Sequence, residues 1–369
     1  MKTPCVKNEI AFFEKVFLKP VRPNAPLRGV ELFNLNLVRD LTDAGHDIFL
    51  PLHKSWEPAV RKFAGKNLRT CPIPALIHPA LTCLAAAFAI VAETFKANRF
   101  PVLFVANDVN GAIPALRMMK RLGAFDKAVV FAHKMPSRRF ATAVSDLPGS
   151  IVCVCGQIAS EFRKYKTLAS VSADYGIANA GDFHPAEQSR PNDGIVNFCL
   201  LGDMESDWKG ADTALAAFAL LPPEIRRQAR LHVKAFRTPR ELPADSGVIQ
   251  HPWTNADNVP DFLRGMDALI VPSRNRSSDG RLMETFSQTT VQGMLTALPV
   301  IHTTISSLAE KFDQGGGIAA DTPEEFAAAI EKLVENPQLR IRLGHEARQT
   351  ALDRYTWDST RFFNTYMKP

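Results

Sequence analysis

The sequence predicts an α/β protein of two doubly wound domains, and three observations carry that prediction. Short apolar runs bounded by turn residues alternate with amphipathic stretches along nearly the whole chain, and regular strand–helix alternation builds a parallel sheet with helices on both faces. The 369 residues exceed what one ordinary core serves. The alternation pauses once, over residues 179–193, where the composition turns polar with two prolines, and it restarts at residue 195. The expected domains are therefore residues 1–188 and 189–355, with a closing segment over 356–369.

In the first half, residues 10–18 are a candidate strand and 19–28 a proline-rich loop. Val30, Phe33, Leu37, Val38 and Leu41 mark an amphipathic helix, which Gly45 closes. Strands are expected at 47–52, 101–106, 128–133 and 151–155, with helices at 109–123 and 157–166. The longest apolar stretch, 79–95, contains Glu93 and is shorter than the roughly 20 residues of a membrane span, so a buried helix is expected there. In the second half, strands are expected at 195–201, 231–236, 268–271 and 299–301 and a helix at 211–221. Three helices, 323–335, 338–355 and 358–367, end the chain.

Composition excludes several classes. A hydrophobic content of 46% with 22% charged residues is that of a globular chain rather than a disordered one. Glu9 and Glu14 interrupt the region where a secretory signal would keep its apolar core. The six cysteines show no repeated spacing except Cys153-x-Cys155, which suits small fillers on a buried strand. A reducing cytoplasmic location, including the inner face of a membrane, is the expectation. The net charge of +6 is uneven: residues 1–188 hold 24 Lys/Arg against 15 Asp/Glu, and the remainder 20 against 23. An anionic acceptor or an anionic membrane surface would suit the basic half. No aromatic-interleaved basic motif points to nucleic acid, and no G-x-G-x-x-G follows a first strand, which removes a dinucleotide-binding dehydrogenase.

The most informative stretch is 271–301, VPSRNRSSDGRLMETFSQTTVQGMLTALPVI. It reads as strand, Arg-rich loop, helix from about Ser287, and strand, with Val291, Met294, Leu295 and Leu298 facing inward. Such a loop lies outside the carboxyl end of a strand, where open α/β sheets bind ligands. Ser287, Gln288 and Thr289 bring backbone N–H groups and hydroxyls to a helix start, a natural anion site. The stretch resembles the donor-site signature of retaining glycosyltransferases of the GT-B fold, family 4. Its pattern is close to E-x-F-G-x-x-x-x-E-A-M-A followed by P-V-I. Glu284 matches the first glutamate and Phe286 the aromatic, while Gln292 replaces the second glutamate. Gly202 to Gly210 resembles the family's G-R-x-x-x-x-K-G-like loop: Lys209-Gly210 is kept, and Asp203 stands at the arginine position. Arg28-Gly29, Phe183-His184-Pro185 and Tyr355-Thr356-Trp357-Asp358 resemble further family landmarks.

The resemblance implies the GT-B architecture: two Rossmann-like domains facing across a cleft, with a C-terminal helix returning to the first. It implies sugar transfer, with retention, from a nucleotide-diphosphate donor to a hydroxyl acceptor such as a glycan, a lipid-linked intermediate or a small molecule. Cell-envelope polysaccharide or glycoconjugate synthesis is the expected setting. Glu284 would hold donor-sugar hydroxyls, and Gln292 the ribose without charge. Gly202, Lys209, Arg276 and the helix start at Ser287, Gln288 and Thr289 would hold the diphosphate, with Arg274 or Arg281 as further cations. His133 would lie by the reacting sugar, Arg138 and Arg139, expected in a loop, by an anionic acceptor, and His251 and Trp253 by the base. No D-x-D pair is present at a strand end, so neither metal nor cofactor is expected. The rival reading is a weakened family member that binds sugar nucleotide or glycan without turnover.

Overall fold

The computed structural model describes residues 9–22, 29–97, 100–106, 112–165, 167–177, 180–187, 193–202, 206–235, 246–252, 258–276, 284–356 and 365–366. The chain divides into two units, residues 1–178 with 357–369, and residues 179–356.

Unit 1 contains β1 (Glu9–Glu14), α1 (Lys15–Leu18), α2 (Gly29–Asp43), β2 (Asp47–Leu52), α3 (Glu57–Phe63), β3 (Leu68–Pro72) and α4 (Pro79–Ala97). It continues with β4 (Phe100–Ala106), α5 (Ile113–Arg121), β5 (Phe125–Ala132), α6 (Arg138–Ser145), β6 (Gly149–Cys153), α7 (Gly156–Arg163) and β7 (Ser170–Ser172). The seven strands pair in parallel in the order β3-β2-β1-β4-β5-β6-β7. Because the winding reverses between β1 and β4, right-handed crossovers place α4, α5 and α6 on the opposite face from α2 and α3. Phe12, Phe104 and Phe131 on adjacent strands form a stacked row within the core. The expected strand over 10–18 stops at Glu14, which caps α1 by accepting the Val16 N–H. Of the closing helix expected over 358–367 only 365–366 fall among the described residues, where the Tyr366 hydroxyl meets Ser172 Oγ at 2.8 Å.

Two expectations are corrected in this unit. Arg138 and Arg139 open a helix, α6, rather than lying in a loop; Ser137 Oγ caps it by accepting the Phe140 N–H. The stretch 79–95 is helical but not buried. Only one face of α4 is covered by the sheet and α5, so just 33% of its apolar window is interior. Its hydropathy reflects two apolar faces, and periodicity cannot be read where nearly every position is apolar.

Unit 2 contains β8 (Val196–Gly202), α8 (Ala211–Leu220), α9 (Pro223–Arg227), β9 (Ala229–Ala235), β10 (Val248–Pro252), α10 (Val259–Arg264) and β11 (Ala268–Val271). It closes with α11 (Gln288–Leu295), β12 (Val300–His302), α12 (Ser306–Ala309), β13 (Gly317–Ala319), α13 (Pro323–Glu335) and α14 (Pro337–Arg354). Its parallel sheet runs β10-β9-β8-β11-β12-β13. Phe198, Leu231, Ile270 and Ile301 from the strands interlock with Phe218, Phe326, Ile330 and Leu333 from α8 and α13. The reversal of winding falls between β8 and β11, so the loops after these two strands border the crevice where doubly wound sheets take ligands.

Candidate active site

The loops after β8 and β11 are fastened by their backbones. Gly210 has φ +68°, and a Cβ there would sit 1.9 Å from the Pro272 carbonyl oxygen, so no other residue fits without moving one loop. Arg274 completes the join: its backbone N–H donates to the Trp208 carbonyl at 2.7 Å, and its guanidinium reaches the Asp207 carbonyl and the Asp212 carboxylate. Arg274 thus braces the two loops. Asp203 and Arg281 lie outside the described residues, and Arg276 is exposed.

On this frame the two principal candidates meet. Lys209 Nζ donates to Glu284 Oε2 at 2.7 Å, and Ser273 Oγ donates to the same oxygen at 3.2 Å. Glu284 is 6% exposed, and its backbone carbonyl accepts from Ser307 Oγ at 2.8 Å. The Lys209 stem runs past Gly202, whose φ of +141° favours glycine, and its ammonium lies 4.2 Å from the Trp208 ring centroid. An ammonium has three donors, and the carboxylate takes one. Glu284 keeps a second oxygen, so the pair can address both an anion and a hydroxyl.

The α11 start lies four residues beyond Glu284. Ser287 is its N-cap, yet it adopts the left-handed conformation, φ 59° and ψ 78°, at the position where the resembled E-x-F-G pattern has glycine. Its hydroxyl bonds Thr290 Oγ1 at 2.7 Å within the protein, so the side chain fastens the helix start and leaves the backbone N–H groups there as the donors expected to meet an anion. Gln288, Thr289 and Gln292 are half-buried on the first turns of the helix, with Gln292 one turn above Gln288. Phe286 is also corrected: it is buried edge-on against Tyr355, with the buried Lys311 ammonium 4.5 Å from its centroid. Lys311 donates to the Ser307 carbonyl at 2.7 Å, so Phe286 wedges the loop from beneath instead of touching a ligand.

His133, in unit 1, follows β5 and is buried among Phe33, Phe131 and Tyr175. Burial, with Lys134 adding to it, pushes its pKa down to about 3, so it is a neutral imidazole at physiological pH and brings no positive charge. His251, on β10, bonds His232 at 2.9 Å, and His232 in turn meets Asn197 Oδ1; Trp253 is outside the described residues. The sequence reading missed Glu14, fully buried at the carboxyl end of β1, beside the winding reversal of unit 1. A lone acid inside IAFFEKVF was the available signal.

Residues 196–336 match the family model described as Glycosyl transferases group 1. The matched residues fall wholly within unit 2. Both units together share a fold with sucrose-phosphate synthase from Thermosynechococcus elongatus, at 15% identity, 96% of both chains and a TM-score of 0.70. A glycosyltransferase from Rickettsia africae aligns at 14% identity, 95% of both chains and a TM-score of 0.70. Anabaena Alr3699/HepE, solved in complex with UDP-glucose, aligns at 14% identity over 95% of this chain and 96% of its own, with a TM-score of 0.65. No curated protein sequence matches the chain. The fold is GT-B.

Proposed function

We propose that the protein is a retaining, metal-independent glycosyltransferase of family 4 that draws its sugar from a nucleoside-diphosphate donor. The observation that carries this reading is the Lys209–Glu284 pair, held at 2.7 Å at the winding reversal of unit 2, within the matched residues. The ammonium and the α11 N-terminus supply positive potential for a diphosphate without a metal. Glu284 orients the donor sugar through its hydroxyls, and Gln292 accepts from the ribose. In the chemical step the anomeric carbon–oxygen bond to the diphosphate breaks and a bond to the acceptor oxygen forms on the same face. The acceptor proton passes to the departing phosphate. HepE, of the same fold, binds UDP-glucose, which makes uridine diphosphate the first nucleotide to try.

The test is a thermal-shift screen of nucleoside diphosphates followed by transfer assays with the matching sugar nucleotides and NMR of the product anomer. The expected result is stabilisation by one nucleotide, turnover with retained configuration that is unaffected by EDTA, and loss of at least 100-fold in turnover in Lys209→Ala and Glu284→Ala. Full activity in both variants excludes this site. A second reading, binding without turnover, is motivated by Gln292 and by the tethering of Arg274 to Asp212. Tight nucleotide binding with no transfer or donor hydrolysis across the panel would favour it.

A further inference from the structure

The outer surface of the α4–α5–α6 layer combines two properties that rarely coincide on a water-facing surface. Leu81, Phe88 and Phe95 follow one another at seven-residue intervals on the face of α4 turned away from the sheet, and Phe95 is 78% exposed. Leu76 and Ile77, just ahead of the helix, are exposed as well. Contiguous exposed apolar surface of this kind marks an interaction site. Beside it, α5 packs against both α4 and α6. Arg117 on α5 and Arg138 and Arg139 on α6 line an open groove of 490 Å³ between these two helices. Lys96 and Arg121 add two more exposed cations. Across the three helices the only carboxylate is Glu93, which is already paired with Arg69.

We propose that this surface docks on an anionic lipid bilayer, with the α4 stripe entering the headgroup boundary and the α5–α6 groove taking lipid phosphates. The inner face of α4 stays on the sheet, so the helix lies in the plane of the interface rather than crossing it. The charge pattern selects this occupant. Two copies joined through the surface by a two-fold axis would have many cations and no free helix carboxylate to answer them. A bilayer supplies hydrocarbon and phosphate together. The proposal does not rest on the donor reading.

Vesicle flotation of the full-length protein tests it, using phosphatidylcholine alone and an equal mixture with phosphatidylglycerol. The protein should float with the mixed vesicles only, and less as salt is raised. Each arginine is worth roughly fivefold, so Arg117→Ala, Arg138→Ala and Arg139→Ala combined should weaken binding on the order of 100-fold. Phe88→Ser with Phe95→Ser should weaken it by at least about tenfold, while Lys62→Ala on α3, across the sheet, should leave it unchanged. All substituted positions are exposed, and thermal melts establish that each variant is folded. The proposal is overturned if the folded wild type ignores mixed vesicles at low salt, or if both sets of variants float like wild type. It is equally overturned if sedimentation shows a dimer that the phenylalanine variant dissolves and that does not float.

Discussion

A buried ammonium–carboxylate pair is worth most when either partner is removed alone, because the survivor keeps its burial without its counter-charge. Lys209 is partly exposed and Glu284 is not, so the two losses should differ. Lys209→Met should destabilise unit 2 by about 1–3 kcal/mol in urea titration, and adding Glu284→Gln should recover part of that, giving a coupling of similar size. Additive effects would show that the pair is not a unit. Ser287 and Ala297 are the two described non-glycine residues with positive φ. For Ala297→Gly the strain is relieved with no bond lost, and a gain of about 0.5–1 kcal/mol is expected. For Ser287→Gly the relief is offset by the loss of the 2.7 Å bond to Thr290, so the denaturation midpoint should barely move. His133 gives a pH signature. Its folded pKa is depressed, so the unfolded chain takes the proton first, and stability present above about pH 6.5 is lost as the pH falls toward 3. The loss reaches up to about 2 kcal/mol by pH 5. His133→Phe should flatten that part of the stability–pH curve, whatever it does to the absolute stability. A curve of unchanged slope would place the proton elsewhere, with His46 and His302, both lowered by burial, next in line.

Elements that bury one clean apolar face or run were legible in the sequence. Val291, Met294, Leu295 and Leu298 do face inward from α11 and the turn after it, and the helix approaches β11 closely because Gly293 leaves room for Leu269. What could not be read was which side of an apolar helix meets water, as at α4, and where a charged pair begins a helix, as at Arg138-Arg139 on α6. In the site itself, motif and spacing brought Lys209 and Glu284 into consideration across 75 positions, and the structure joins them. Sequence could not assign Ser287, Phe286 and Arg274, since a hydroxyl, a ring and a guanidinium serve a ligand or their own loop equally well. The positions of Thr290, Tyr355 and Asp212 show what each holds within its own loop. A test at this scale is Gly293→Val: with Leu269 Cδ2 only 2.6 Å from where a Cβ would sit, the leucine must repack or α11 must move, costing about 1–3 kcal/mol, and movement of α11 is read as weakened nucleotide binding in calorimetry.

At the scale of the molecule, the two sheets are wound alike but carry opposite electrical character, with the basic excess confined to the first 188 residues. Donor chemistry assigned to unit 2 should therefore leave a regional trace. Hydrogen exchange with a saturating nucleotide is expected to protect residues 206–212, 272–276 and 284–292, while amides of α4, α5 and α6 stay as they were. Protection concentrated in the first unit instead would move the nucleotide there. The contact between Gly210 and the Pro272 carbonyl bears on how such an enzyme can be altered. Side chains around the crevice can be exchanged to court a different sugar, because each acts through its own tip. The rivet beneath them is main chain on main chain, and a methyl group at position 210 would prise lysine from glutamate before any substrate arrived. Specificity here is open to redesign from above, and closed to it from below.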